Sequence, residues 1–418
     1  MFSERTNWRL AQNRFTQAVE EARAGGARIL DLTASNPTRV GLRYDSAAIL
    51  RALGSERGLD YDPQAKGLLP AREAVASYYR DDHGIAGLDI ERIVLTTSTS
   101  EGYSYVFRLL CNAGDELLVP KPSYPLFEFL ADLQDVKLVP YPLLYDHGWQ
   151  MDFPSLEKAV TARTRGVVVV HPNNPTGSYV SEEDRRGLNE FCQAHGLAVI
   201  ADEVFLDYGL GGSSDENTRS LHAPLDRHAP IQKLGRDDNG WKGAQSFAGN
   251  EDVLTFTLSG LSKISALPQM KVAWLVTSGP QEQVAEAMAR LEVIADTYLS
   301  MNAPVQWAVP MLLEQRRSVQ KQLVERVAKN LTELDRQLGA QKACERLIVE
   351  GGWYAVLRVP VTRSDEELAI MLVREKSVLV HPGHFYDFPS DGYLVVSLIG
   401  DQKEFVEGIG KVLKHLSS

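Results

Sequence analysis

The stretch from Gly166 to Ala201 constrains the fold most. Residues Gly166 to Val170 (GVVVV) form an uninterrupted apolar run of strand length, the pattern of a strand buried on both faces. HPNNPTG follows, a loop rich in Asn, Pro and Gly. Ser181-Glu182-Glu183-Asp184 then reads as a capping box opening a helix toward Gly196, and Leu197 to Ala201 is a second strand-length run. Strand, crossover helix and strand make a βαβ unit. Similar alternation continues from about residue 90 to 280, so the fold class is α/β, a mostly parallel sheet wrapped by helices. In open sheets of this kind, ligands gather beyond the carboxyl ends of the strands. That rule puts Asn174, Asp202 and Lys263, each just past a strand, on one rim.

A chain of 418 residues, 44% hydrophobic and 24% charged, exceeds what one core usually fills. Beyond Gly279 helical character dominates through Leu338, interrupted at Pro304. A smaller α+β pattern closes the chain: strand Trp353 to Val359, helix Ser364 to Lys376, strands Ser377 to His381 and Tyr393 to Leu398, helix Gln402 to Leu416. The expected division is an N-terminal arm (1–42) that completes the smaller domain, a large domain (43–290) and a small domain (291–418). Residues 209–250 are polar, Gly-rich and without periodicity, and read either as a tolerated insertion or as a cover.

The net charge of −11 comes without any basic block, which argues against a nucleic-acid partner. Residues 1–30 have no apolar core of signal-peptide length, and no membrane-spanning apolar run occurs; a soluble, cytoplasmic protein is expected. Cys111, Cys192 and Cys344 lie far apart without CxxC spacing, so neither a disulfide framework nor a metal site is expected.

Lys263 lies in SGLSK, between the β-prone runs Val253 to Leu258 and Lys271 to Thr277. A lysine between two core strands is costly to bury unless it is paired or chemically used. Most lysines that follow a strand are simply solvated, so the case rests on its companions. TTSTSEG, PKPSYPLF, HPNNPTG, ADEVFLDY and SGLSKISALPQMK together resemble the class I/II aminotransferase family of fold type I enzymes, over roughly residues 30 to 415.

The resemblance implies a three-layer αβα large domain with a smaller α+β domain, and pyridoxal 5′-phosphate (PLP) as cofactor. It also implies a homodimer that transfers an amino group between an amino acid and a 2-oxo acid. Lys263 matches the Schiff-base lysine, whose freed amine also moves a proton. Asp202 matches the carboxylate that keeps the pyridine nitrogen protonated, with Glu203 beside it as a structural partner. Asn174 matches the donor to the cofactor's 3′-oxygen, though Asn-Pro is also a turn signal by itself. Thr99 and Ser100 match the phosphate-binding positions at a helix start, where a plain N-cap is the alternative. Ser262 adds a hydroxyl and Lys271 a charge. Tyr124 matches the aromatic residue that stacks on the ring, and Tyr61 the tyrosine that reaches the neighbouring subunit's phosphate; a surface turn also explains Tyr61.

Three positions depart from the family pattern. Phe205 stands where a tyrosine usually donates to the 3′-oxygen, and losing that donor is expected to raise the Schiff base's pKa. Lys271 replaces an arginine and loses its bidentate fork. Val395 stands where the family commonly places the arginine that grips the substrate α-carboxylate. Arg39, Arg43, Arg358 and His384 are the candidates to replace it. These departures keep a PLP-dependent lyase, decarboxylase or racemase open as an alternative. A non-catalytic PLP-fold binding or regulatory protein is the alternative from another class; retention of Lys263 with Asp202 argues against it.

Overall fold

Eight strands form the main sheet of this computed structural model, which describes residues 1–8, 10–210 and 245–417. Most of the expected 209–250 loop therefore lies outside the described residues. The sheet runs Ile93–Thr96, Ala273–Ser278, Thr255–Gly260, Ala198–Asp202, Thr164–Val170, Glu116–Lys121, Lys137–Tyr145, Trp149–Met151. All are parallel except Ala273–Ser278 and the edge strand Trp149–Met151.

Alternate side chains of the valine run go to opposite faces, as strand geometry demands. Val168, Val170 and Ile200 pack with Val106 and Phe107 of helix Thr99–Leu110 and with Leu291 of helix Gln281–Tyr298. Val167, Val169 and Val199 pack with Leu188, Phe191 and Cys192 of helix Glu182–His195. Both faces are covered, which makes three layers. Each fully buried valine contributes about 1.5–3 kcal/mol relative to exposure, so polar residues are excluded from the run. Helix Glu182–His195 begins where the capping box places it: Ser181 accepts from the Asp184 N–H at 3.0 Å, and Gly196 ends it at φ 65°.

The second body is a four-stranded antiparallel sheet in the order Glu345–Arg346, Tyr354–Arg358, Tyr393–Ser397, His381–Pro382. Leu323, Val327 and Leu331 of helix Arg316–Leu338, Leu372 of helix Asp365–Lys376 and Ile409 of helix Gln402–Leu416 share its core. The expected strand Ser377 to His381 is two pieces. Val378–Leu379 pairs in parallel with Leu30–Asp31, and His381–Pro382 pairs with the Tyr393–Ser397 strand, so the chain changes partner at Val380. The N-terminal arm joins this body, as Phe15, Ala18, Leu30 and Leu32 enter the same core.

Pro304 interrupts the helical region by opening a new helix, Ala303–Glu314, in whose first turn its missing N–H costs nothing. Val305, Ala308, Val309 and Leu312 of that helix pack with Ile93, Leu95 and Trp274. The apolar face of this helix thus packs on the larger sheet.

Gly260 ends the Thr255–Gly260 strand three residues before Lys263. A Cβ there would lie 2.8 Å from the Val272 carbonyl oxygen and 2.9 Å from the Ala273 Cβ. Gly260→Ala is expected to force the two strands apart at a cost of about 1–3 kcal/mol. Thermal unfolding should register a midpoint lower by roughly 2 °C or more; an unchanged midpoint would mean that Ala273 moves away freely.

Candidate active site

The strand ends lie side by side. Asp202 is in register with Val170 on one neighbour and Leu258 on the other, and Ala273 is flanked by Thr96 and Gly260. The segments that leave these ends, 97–100, 171–177 and 261–263, share one rim, as the sequence pattern anticipates. Lys263 sits in the short helix Leu261–Ile264. Its Nζ lies 3.5 Å from the Ser35 carbonyl oxygen, 4.7 Å from the Trp353 ring centre and 5.3 Å from that of Phe205. The residue is half-buried, yet protein surrounds the amine closely enough that burial pushes its pKa down to about 8, against the pull of Asp202.

Side chains from three segments fix the turn that carries this amine. The Tyr208 hydroxyl donates to the Lys263 carbonyl (2.6 Å), Gln320 to that of Ile264 (3.0 Å), and Tyr44 to that of Ala266 (2.8 Å). Gln320 also donates to Asp207 at 2.6 Å, whose other oxygen meets Tyr78 and His83 at 2.9 and 3.0 Å. Burial opposes a charge on His83, but its hydrogen bond to Asp207 and that carboxylate's charge outweigh it and raise its pKa.

Asp202 accepts from the Tyr103 hydroxyl (3.0 Å) and from the Val204 N–H (3.1 Å). Burial raises its pKa to about 6, while those two donors and the Lys263 charge act to lower it. Tyr103 was not legible as a site residue, since on a buried helix face a tyrosine reads as core. Glu203 turns away from the cleft and accepts from the Ser246 hydroxyl and the Phe247 N–H, both at 2.6 Å. Burial pushes its pKa up to about 7.

At the start of helix Thr99–Leu110, Ser98 caps the Glu101 N–H at 3.2 Å, and the Glu101 carboxylate accepts from the Thr97 N–H at 2.7 Å. The Thr99 and Ser100 N–H groups have no hydrogen-bond partner among the described residues, the condition for holding an anion. Lys271 is exposed in a left-handed conformation, φ 53°, two residues before Ala273, which pairs with Thr96. Ser262 is half-buried beside Lys263. The buried Asn174 amide oxygen has no partner. The unused N–H groups at the helix start, the Lys263 amine and the buried Asp202 carboxylate fit the phosphate, carbonyl and ring nitrogen of PLP. Tyr124 is 46% exposed and Tyr61 83% exposed. Among the described residues of one chain, no hydrogen bond or ring contact joins Tyr61 to the other candidates.

Val395 is fully buried in the small sheet, between Val356 and His381. Of the four candidate cations, Arg358 is engaged by Glu345 and exposed. Arg39 and Arg43 are also exposed, the latter holding Gln322 through its backbone. His384 points outward against Phe385. The other histidine of HPGHFYDF, His381, is paired across the sheet with Val395. Among the described residues, no group of His, Cys, Asp or Glu could hold a metal ion and no helix is long and apolar enough to cross a membrane.

Residues 28–407 match the family Aminotransferase class I and II. The chain is 26% identical to the glutamate-pyruvate aminotransferase AlaA of Haemophilus influenzae, covering 94% of this chain and 91% of that protein. It is 27% identical to an alanine aminotransferase of Mycobacterium tuberculosis, covering 96% and 89%. Its fold superimposes on the alanine aminotransferase of Pyrococcus furiosus with a TM-score of 0.85 at 19% identity, over 100% of this chain and 99% of that one.

The electrostatics yield a signed expectation. Without cofactor, the Lys263 amine should titrate near 8, and Asp202→Asn should lower that midpoint, since the carboxylate's charge favours the ammonium form. The pH dependence of amine acylation, followed at the Lys263 peptide by mass spectrometry, checks this; an Asp202→Asn midpoint that rises contradicts it.

Proposed function

The chain belongs to the class I and II aminotransferases, which depend on PLP, and from that premise we propose that Lys263 holds the cofactor and that the reaction moves an amino group from an amino acid to a 2-oxo acid. The observation that carries this reading is the Lys263 amine itself. It lies in the cleft among aromatic rings, its pKa brought to about 8. When bound, PLP supplies a carbonyl carbon that takes up amines and a ring that withdraws electrons from the substrate Cα.

The rest is done by this chain's own side chains. At Lys263 Nζ the lowered pKa leaves a larger unprotonated fraction near neutral pH than an ordinary lysine has, and this fraction is the nucleophile and then the proton carrier. Asp202, oriented by Tyr103, would accept from the cofactor's protonated ring nitrogen, and that cation would lower the carboxyl pKa that burial raises. Asn174 takes the ring oxygen and Tyr124 covers the ring. Thr99, Ser100, Ser262 and Lys271 receive the phosphate.

Tyr61, so exposed in one chain, serves the site of a second copy, and the working unit is a homodimer in the cytoplasm. We place the division between the two domains near residue 315, with the segment from Phe15 to Leu32 in the core of the smaller one and Trp8 against Phe129 and Asp132 of the larger. The relatives' names make alanine with a 2-oxo acid the first pair to try.

Borohydride reduction followed by peptide mapping should leave the cofactor on Lys263, and Lys263→Ala should lose both adduct and turnover. A normally active alanine variant would sink the reading. Phe205→Tyr restores a donor to the ring oxygen and should shift the pH midpoint of the cofactor's absorbance change downward. An unmoved or raised midpoint contradicts the role given to that position.

A further inference from the structure

Cross-strand neighbours in register share a sheet face, as do residues two apart on a strand. Ser397 is opposite Tyr354, and Val395 is opposite both Val356 and His381. These five side chains therefore share a face, and that face is turned toward Lys263. The Tyr354 ring meets Phe205 at 6.3 Å, and Phe205 borders the lysine amine. The Ser397 hydroxyl donates at 2.5 Å to the carbonyl of Ala34, the residue before the Ser35 carbonyl that the amine touches.

Arg358 continues the same face at its far end, where Glu345 engages it. Val395 and Val356 offer no polar group, and the Ser397 proton is used on Ala34. The Tyr354 phenol and His381 remain, and of the two it is the His381 ring that a side-chain hydrogen bond holds in place among the described residues. Its Nδ1 lies 2.9 Å from the Tyr386 hydroxyl. Tyr386 is itself fixed, its backbone carbonyl accepting from Ser123 at 2.9 Å. Burial keeps that phenol protonated, and with the phenol donating to Nδ1 the imidazole proton resides on Nε2. Among the described residues, Nε2 makes no hydrogen bond. Burial also holds the ring neutral, its pKa pushed down to about 4 against the pull of Asp31, so it presents one N–H donor in place of a charge.

We propose that His381, oriented by Tyr386, receives the carboxylate of the amino-acid substrate. This rests on the aminotransferase reading. A single N–H to a carboxylate oxygen replaces the two-pronged grip of a guanidinium. It should favour a substrate with the carboxylate over one without it by roughly 10- to 100-fold.

The test compares the holoenzyme's half-reactions with L-alanine and with ethylamine, the same amine without its carboxylate, and adds calorimetric titration with pyruvate. His381→Leu should lower the alanine-to-ethylamine rate ratio and the pyruvate affinity by roughly 10- to 100-fold. Tyr386→Phe should lower both several-fold, and His381→Gln, which keeps an N–H donor, should recover most of the loss. Where His381→Leu does not fold, Tyr386→Phe and His381→Gln carry the decision. An unchanged ratio and affinity in a folded His381→Leu protein overturns the proposal, and so does a wild-type protein that binds no pyruvate. Pyruvate binding that depends on His381, in a protein that takes no amino group from alanine, supports the carboxylate assignment and instead overturns transamination.

Discussion

The carbonyl oxygens of Lys263, Ile264 and Ala266 accept hydrogen bonds from Tyr208, Gln320 and Tyr44, side chains drawn from three distant segments. A lysine carries a long, flexible stem, and ordering it in the cleft costs conformational entropy. Fixing the backbone beneath it restricts where the amine can go. Tyr208 follows the Asp202 strand, Tyr44 precedes helix Ser46–Leu53, and Gln320 lies on helix Arg316–Leu338. The turn is thus held by both bodies, and the amine's place depends on their packing. The Asp207 network under Gln320 extends the constraint to His83 and Tyr78. Buried charges of this kind persist only when each is paired and hydrogen-bonded.

Against that fixed amine, the opposite charge is supplied sparingly. Asp202 is raised to about 6 and Lys263 lowered to about 8, so burial works on both in the sense that favours neutrality. Both remain mostly charged near neutral pH, but each titrates far closer to it than an ordinary carboxyl or lysine does. The small-domain face opposite them carries hydroxyls, an imidazole and aliphatic groups, with its one arginine turned to Glu345 at the far end. Cofactor retention and substrate recognition therefore rest on different physics. In the proposed reading the first uses unsatisfied N–H groups and lysines at the sheet rim, and the second neutral donors on a second sheet.

Much of the large sheet was legible because its signals are local. The run GVVVV, the Ser181 cap and Gly196 each act through neighbours within a few residues, and each lies where the pattern put it. The rim positions of Asn174, Asp202 and Lys263 follow from the parallel sheet alone. What escaped the sequence depends on register between distant strands. The pairing of His381 with Val395 is one such contact, which no local pattern reveals. Tyr103 reads as core because a helix face hides one hydroxyl among apolar neighbours. The split of the Ser377 to His381 run reflects a change of partner to the N-terminal arm, a contact across more than 300 residues of chain.

The measurement that tests the account most directly is the stoichiometry of one half-reaction. Holoenzyme mixed with an amino-acid donor, in the absence of any acceptor, should release one 2-oxo acid per site and retain the amino group on the cofactor, with no free ammonia. With a donor that carries a leaving group on its β-carbon, loss of that group with release of ammonia and the 2-oxo acid, leaving the cofactor spectrum unchanged, would contradict transamination and point to elimination chemistry on the same lysine.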